Sequence, residues 1–519
     1  MMIDCRKVDG KLPHMWSKCI GAGRACEGLR THWQEQLRIA KKECGFEYIR
    51  FHGLLAEDMF VCREVNGEIR YNWYYIDALY DFLLEIGVRP IVEFGFMPPA
   101  LASGTQTQFW WKGNVTPPKD YTQGDDLIYN LVQHWKERYG LEEIRRWYYE
   151  VWNEPNLHAF WGGTKSEYFE VYRHAALAVK RVDSQLRVGG PATSNFVPDE
   201  RFDGEREDTS KHLTHLVEDL DSLEWHAVWM KDFLRFCEQE GLPVDFVSCH
   251  PYPTDWALDG HGKSRGRSRG KDSLHTDITW LRNVVAKSPW PEAEIHLTEW
   301  SSSPSPRDCA HDWLPAADYV VKCNIDCAGM ADSLSYWVFT DIFEEGGGGP
   351  EAFHGGFGLM NEHGVKKPTF HAYRFLHQLG DEVVERLEEG VVTRKADGTV
   401  QALVYNYAKT LKEAVPLAGY PGHDAAKRVQ QMGESRQEQL ALTGLEPSAT
   451  FVLERMALED TAIHAWEQMG RPANLTRAQE AALKACAPRK EYLTADEQGS
   501  LNLSLTLAPW EIACLYQVK

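Results

Sequence analysis

Along the first 380 positions two rhythms of apolar and polar residues replace one another in turn. Short apolar or alternating runs of strand type are each followed by a longer stretch with helical spacing. The strand-type runs are Cys19 to Arg24, Tyr48 to His52, Arg89 to Phe96, Tyr148 to Trp152, Arg187 to Ala192, Val244 to His250, Glu294 to Trp300 and Leu334 to Phe339. Helical patterns follow them near His32–Cys44, Tyr75–Gly87, Asp125–Tyr139, Ser166–Val182, Ala227–Glu240, Asp277–Ala286, Ala316–Met330 and Thr369–Leu379. Eight such units over about 360 residues predict an α/β fold, a parallel sheet closed on itself as a (β/α)8 TIM barrel. An open, doubly wound sheet is the alternative, but Gly21-Ala22-Gly23-Arg24-Ala25-Cys26 lacks the third glycine of its phosphate-binding turn.

From about Asp381 the rhythm changes. Val391 to Arg394 and Thr399 to Tyr407 flank Asp397-Gly398, a hairpin signal. Leu501, Leu503, Leu505 and Leu507 alternate strictly, as in a half-buried strand. The pattern predicts a catalytic barrel over residues 17–380 and an accessory β-sandwich from 1–16 and 381–519, with one short helix inserted near Arg477 to Cys486. Two barrel loops are long. Asn195 to Trp225 reads as a charge-rich insertion, and Pro253 to His275 carries five cations among glycines between Gly260 and Lys271. Such a run is expected to be a mobile, solvated flap beside the active face.

Composition narrows the function classes. With 56 Lys and Arg against 76 Asp and Glu the net charge is −20, which disfavours nucleic acid and anionic lipid as partners. No apolar run approaches the ~20 residues needed to span a bilayer. The first 30 residues contain no signal-peptide core, since Asp4, Arg6, Lys7, Asp9 and Lys11 interrupt it. A cytoplasmic location is therefore expected, or a periplasmic one if a leader was removed. The twelve cysteines form no Cys-x-x-Cys pair and are expected to be reduced thiols. No metal or cofactor is expected, because no His, Cys or acidic group has ligand spacing.

In a barrel of this kind the chemistry sits at the C-terminal ends of the strands. The polar residues there are His52, Glu93, Asn153 with Glu154, His250 with Tyr252, and Glu299, with Trp337, Glu344 and Glu345 around the eighth strand. Glu154 and Glu299 end strands four and seven, across the barrel mouth from one another. Paired carboxylates flanking a bond are what glycoside hydrolysis requires: one protonated toward the leaving oxygen, one ionised toward the anomeric carbon. Glu93 is expected to make a supporting ion pair.

Trp152-Asn153-Glu154-Pro155 and Thr298-Glu299-Trp300 resemble the acid/base and nucleophile signatures of clan A of the glycoside hydrolases. Gly104-Thr105-Gln106-Thr107, the run from Lys112 to Tyr121, Asp341 to Glu345, Phe353 to Gly358 and Met469-Gly470-Arg471-Pro472 are similar to family 39, and to its bacterial β-xylosidase branch. The resemblance implies a retaining exo-β-D-xylosidase that removes xylose from the non-reducing ends of β-1,4-linked xylo-oligosaccharides. It implies Glu154 as acid/base, Glu299 as nucleophile and Asn153 as partner of the sugar 2-hydroxyl. His250 and Tyr252 would touch the sugar and the nucleophile, and His52, Phe109, Trp337, Glu344 and Glu345 would line the xylose subsite. An arabinopyranosidase or α-L-iduronidase-like specificity is the nearest alternative, and a non-catalytic sugar-binding barrel a distant one. The chain stops at Lys519 without the C-terminal extension of tetrameric relatives, so a monomer is expected.

Overall fold

The computed structural model describes residues 2–258, 264–415 and 422–518. Eight parallel strands close into a barrel in sequence order: β1 (Cys19–Arg24), β2 (Tyr48–His52), β3 (Arg89–Glu93), β4 (Tyr148–Glu150), β5 (Arg187–Ser194), β6 (Phe246–His250), β7 (Glu294–Trp300) and β8 (Ser333–Tyr336). Eight helices follow them in turn around the outside: α1 (Thr31–Cys44), α2 (Tyr74–Glu85), α3 (Tyr121–Tyr139), α4 (Lys165–Val182), α5 (Met230–Glu240), α6 (Ser273–Val285), α7 (Leu314–Asp326) and α8 (Pro368–Gln378). Asp120 caps α3, Thr164 and Glu167 form a capping box on α4, and Pro315 and Pro368 stand in the first turns of α7 and α8. None of the described helices is long and apolar enough to cross a membrane.

The alternation of side chains along a strand explains the barrel interior. Cys19, Tyr48, Ile91, Tyr148 and Phe246 form one buried cluster at the strand starts and plug the N-terminal end. Two residues further on stand Gly21, Arg50, Glu93, Glu150 and Ser248, a small and charged layer in the middle of the barrel. A further step reaches the C-terminal mouth, at His52 and His250. Gly21 is needed for space: a β-carbon there would lie 2.6 Å from the Trp337 indole and 3.0 Å from the Tyr336 carbonyl oxygen.

Strands β3, β4 and β8 end two or three residues earlier than their composition predicts. At β4 the cause is visible in the backbone, because Trp152 (φ 74°) and Glu154 (φ 46°) adopt left-handed conformations that leave the ladder. The helix predicted at Arg477 is Arg477–Lys484, and the accessory region also contains helices His423–Gln430 and Ala462–Gln468 that the periodicity did not reveal.

The accessory region is a seven-stranded antiparallel sheet facing a three-stranded one. The larger runs Gly10–Lys11, Glu382–Leu387, Gly390–Arg394, Val400–Tyr405, Ile512–Val518, Thr450–Met456, Arg489–Thr494, and the smaller Met2–Asp4, Arg436–Thr443, Leu501–Leu507. The N-terminal segment thus contributes a strand to each sheet. Val400, Ala402 and Val404 point into the sandwich, while Leu403 and Tyr405 belong to the core shared with the barrel. Both faces of that strand are buried, so its sequence is a continuous apolar run apart from Gln401.

The basic loop is not a solvated flap where it is described. Residues Thr254–Leu258 and Ser264–Ser268 pair as an antiparallel hairpin. Arg269 is only 2% exposed, forms two 2.8 Å bonds to Asp277 and lies 3.8 Å over the Trp225 ring. Arg267 donates to the carbonyls of Thr214, Val217 and Glu218. The backbone of Lys271 donates to Lys412 O. Cations with that many acceptors gain more from fixed pairing than from solvation of a loose loop. Positions 260–263 of the same run lie outside the described residues. All twelve cysteines are unpaired thiols, ten of them buried.

Candidate active site

Directly beneath the barrel mouth lies a side chain that motif reading did not single out. Arg50, on β2 two residues before His52, is fully buried. Its guanidinium lies 2.5 Å from Glu150 Oε2, 2.6 Å from Glu299 Oε1 and 3.1 Å from Glu93 Oε2, and it donates to Asn153 Oδ1 at 2.8 Å. A planar fork with five donors can serve four acceptors at once, which an ammonium could not. Its signal in the sequence is a charge in the middle of a strand whose same-face neighbours, Tyr48 and His52, point into the barrel.

Glu299 owes its orientation to an irregularity. The pairing of β7 with β8 slips between Leu297 and Trp300, so the consecutive residues Thr298 and Glu299 both reach interior partners. Arg50 holds Glu299 Oε1, and the Tyr252 hydroxyl donates to Oε2 at 3.1 Å. Both contacts fix the orientation of the carboxylate.

Glu154 sits in a different environment. Its backbone N–H donates to Ala192 O on β5, and its Oε1 is 2.8 Å from His250 Nδ1. Burial raises its pKa above the ordinary carboxylate value, with Ser194, His52 and Arg50 opposing. Burial also lowers His250, to about 4, so its imidazole is neutral at pH 7. The hydrogen-bond chain behind it fixes the tautomer. Burial alone would raise Glu150, but Arg50, His250 and the Ser248 hydroxyl together outweigh it and hold that carboxyl below its ordinary value. Glu150 can therefore only accept, and the Thr298 hydroxyl donates to it at 2.8 Å. The Thr298 oxygen, 3.1 Å from His250 Nε2, is then free to accept the imidazole N–H. That leaves a lone pair on Nδ1, and the proton between His250 and Glu154 belongs to Glu154. The two carboxylates thus stand in different environments, Glu154 against a neutral imidazole and Glu299 against the Arg50 guanidinium.

A cavity of about 370 Å³ opens above them. His52, Trp337, Glu345 and Tyr252 line it together with Glu154 and Glu299. His52 bonds Glu93 at 2.7 Å through Nδ1 and lies 3.3 Å from Glu345 through Nε2. Burial works against a charge on His52, yet Glu93, Glu345 and Glu299 outweigh it and raise its pKa well above the usual value. Burial pushes Glu345 up to about 7, with His52 opposing.

Asn153 and His250 lie behind the carboxylates rather than on the cavity wall. The Asn153 Oδ1 is held by Arg50, whereas its buried Nδ2 has no partner among the described residues. Phe109 packs behind His52, with ring centroids 6.5 Å apart, among Phe96, Trp111 and Phe160. Glu344 does not line the cavity. Arg24 and Arg30 draw it away with contacts of 2.8 and 2.5 Å, and these cations hold its pKa below the ordinary value against the effect of burial. From outside the strand-end set, the 195–225 insertion contributes Phe202, Glu207 and His212 to the wall, together with Leu157 and Phe160. No periodicity marks these residues; only the folding of the insertion over the mouth brings them in.

Glu154, His250 and Glu299 each place a ligand-capable atom within 4.8 Å of the other two. A cation there would have to displace the bonds that already engage these atoms and would face the Arg50 guanidinium, so the set suits proton and glycosyl transfer better than metal binding.

The profile of Glycosyl hydrolases family 39 matches residues 1–217 and 219–502. A β-xylosidase of Geobacillus stearothermophilus is 38% identical over 518 residues, covering 97% of this chain and 93% of that protein. The crystal structure of a monomeric β-xylosidase from Caulobacter crescentus CB15 superposes with a TM-score of 0.84 at 31% identity, covering 99% of this chain and 98% of that one. An α-L-iduronidase of Mus musculus is 31% identical over 169 residues, which is 31% of this chain and 25% of that protein. The barrel, the carboxylate pair at the ends of β4 and β7, and a match along nearly the whole chain place this protein in family 39 of the glycosyl hydrolases.

Proposed function

We propose that the chain is a retaining exo-β-D-xylosidase acting on the non-reducing ends of xylo-oligosaccharides. The carrying observation is the pair of catalytic carboxylates, whose nearest oxygens lie within 4.8 Å of one another. Retention needs carboxyl groups about 5–5.5 Å apart, whereas inversion needs about 6.5–9.5 Å to admit a water between them. In the first step Glu299 attacks the anomeric carbon while the proton on Glu154 passes to the departing glycosidic oxygen. The products are a glycosyl ester on Glu299, a free alcohol and an ionised Glu154. In the second step Glu154 takes a proton from water, whose oxygen attacks the same carbon and releases Glu299. The role of Asn153 as donor to the sugar 2-hydroxyl rests on the resemblance to the family, with its Nδ2 unpartnered among the described residues.

Xylose is supported over a uronic acid on two grounds. None of the described residues lining the cavity is a lysine or arginine, and the wall carries Glu345 and Glu207 besides the catalytic pair. The basic run that could have met a uronate is instead tied, at Arg267 and Arg269, to the protein's own acceptors. The β-xylosidase of Geobacillus stearothermophilus matches 97% of the chain in sequence, whereas the α-L-iduronidase of Mus musculus matches 31% of it. A monomer is part of this reading, as for the Caulobacter enzyme.

The test compares an aryl β-D-xyloside with an aryl α-L-iduronide. Faster cleavage of the xyloside is expected; faster cleavage of the iduronide overturns the assignment. Glu299→Ala should lower xyloside turnover by roughly 10⁴-fold or more, the scale of losing a covalent nucleophile. Glu154→Ala should cost about 10²–10⁴-fold with poor leaving groups and far less with activated ones. The glycosyl-enzyme on Glu299 is the species to trap and identify by mass spectrometry.

A further inference from the structure

A buried charged cluster stands apart from the reacting groups. Lys367, Asp312 and Asp341 are each 1% exposed or less, and none of the three lines the cavity. The Lys367 ammonium, just before α8, stands 2.7 Å from Asp312 Oδ1 and 2.6 Å from Asp341 Oδ2, and it donates to Gly356 O at 2.8 Å. The remaining carboxylate oxygens accept backbone N–H groups of the same loop. Gly355 N donates to Asp312 Oδ2 at 2.8 Å and Gly358 N to Asp341 Oδ1 at 2.7 Å. We propose that Lys367 is a positioning residue for the glycosidase reaction: with Asp312 and Asp341 it fixes the backbone of residues 355–358 and so sets Phe357 in the cavity wall. The proposal rests on the glycosidase reading above and names the residues that hold its cavity in shape.

Glycines make so close an approach possible. A β-carbon on Gly356 would collide with Asp341 Oδ1, one on Gly358 would collide with the Asp341 backbone, and Gly355 has a φ of 74°. Phe357 alone among residues 355–358 carries a side chain, and that side chain lines the cavity. Its ring meets Phe343 edge-on at 5.6 Å, and Phe343 meets Trp337 edge-on at 6.1 Å. Trp337 lines the cavity in turn, 4.7 Å from the His52 ring. The ions therefore reach the wall through the loop backbone and a short run of aromatic contacts.

Stability alone does not account for these charges. Taking a lysine and two aspartates out of water is costly, and replacing such a group by apolar side chains is often neutral or stabilising. Burial works against the charge on Lys367, yet Asp312 and Asp341 outweigh it and raise its pKa. What the ions supply, and apolar side chains could not, is partners for three backbone groups within four residues, and hence one fixed loop conformation. The accessory region holds the start of the same loop. The Trp313 indole N–H donates to His423 Nδ1 at 3.3 Å, which leaves the proton on Nε2 to be donated to Phe353 O at 2.8 Å. The Trp466 ring lies 5.4 Å from that of Phe353.

The test uses the full-length enzyme with an aryl β-D-xyloside. The variant Lys367→Met with Asp341→Asn removes the ammonium and leaves the net charge of the cluster unchanged. Active sites are counted by the burst of aglycone from a slow fluorinated xyloside. Per active site, KM should rise about tenfold with kcat little changed, since a wall that binds ground and transition states alike acts on KM. Phe357→Ala should show the same rise, and combining it with the cluster variant should raise KM no further, because Lys367 acts through Phe357. Gly356→Ala displaces the loop without altering the ions and should give the same signature, so it decides the matter where the cluster variant does not fold. A merely structural cluster would lower the urea midpoint and leave KM per active site unchanged. That result, or a rise that adds in full to that of Phe357→Ala, overturns the proposal. Wild-type enzyme that does not cleave the xyloside overturns the functional reading instead, so the two failures are distinguishable.

Discussion

Arg50 carries more of the site's electrostatics than any other side chain. Three buried carboxylates, Glu93, Glu150 and Glu299, contact one guanidinium. Replacing it with Met leaves acidic groups buried without compensation, a change that costs about 3–5 kcal/mol when a buried pair is broken. Arg50→Met should therefore lower the urea midpoint markedly. A second residue-scale expectation concerns the chain from Glu150 through Thr298 and His250 to Glu154. In Thr298→Val the Nε2–H of His250 loses its acceptor, so the imidazole proton can move to Nδ1 and donate to Glu154. Hydrogen bonding to the charged form lowers a carboxyl pKa. The acid must be protonated in the first step, so the basic limb of kcat/KM should move down by about one pH unit, the worth of roughly one hydrogen bond. A pH–rate profile on a substrate with a poor leaving group reads this directly; an unmoved basic limb would show that the chain does not set the acid's proton affinity.

At the scale of elements, the two long loops behave as one braced unit. Arg201 joins the insertion to the hairpin, Arg267 joins the hairpin to the insertion, and Arg269 anchors both on Asp277 in the second turn of α6 and on Trp225. Arg269→Ala should destabilise the protein by about 3–5 kcal/mol, since Asp277 is left buried and unpaired. The double variant with Asp277→Ala should recover part of that loss, a coupling that a double-mutant cycle measures. Amide exchange should quicken in 266–271 and 214–222 together, because the same cation network holds both. The sequence showed a charge-rich insertion and a basic loop. That their charges are mutual partners could not be read from either one, as each looked solvated when taken alone.

At the scale of the molecule, the barrel and the accessory sheets share a core. Leu403, Tyr405, Trp510, Ile512 and Cys514 belong to the same buried cluster as the barrel helices, and Arg374 on α8 pairs at 2.6 Å with Glu454 of the large sheet. Cutting the chain there would expose apolar surface on both sides and strand Arg374 beside a buried interface. Residues 17–380 expressed alone should fail to give a soluble, cooperatively folded barrel, whereas the whole chain should unfold in one calorimetric transition. Two separate transitions would show that the shared core does not couple the parts.

What the sequence determined by itself was everything that a local period can encode. Eight alternations of strand and helix specify a barrel, because a parallel strand buried on both faces and an amphipathic helix each have their own repeat. The same reading put Glu154 and Glu299 at strand ends and made them a pair, since the barrel maps sequence order onto position around the mouth. Tertiary structure alone decided which charges meet. Arg50 and Glu150 were visible only as charges inside strands, and their roles depend on contacts spanning 100 and 249 positions. Glu344 and Glu345 are adjacent in the chain, yet one is drawn out to Arg24 and Arg30 while the other turns to His52 in the cavity. A local pattern fixes the face a residue occupies. Its partner, and with it protonation and function, is fixed by the close approach of distant segments in a medium of low dielectric constant.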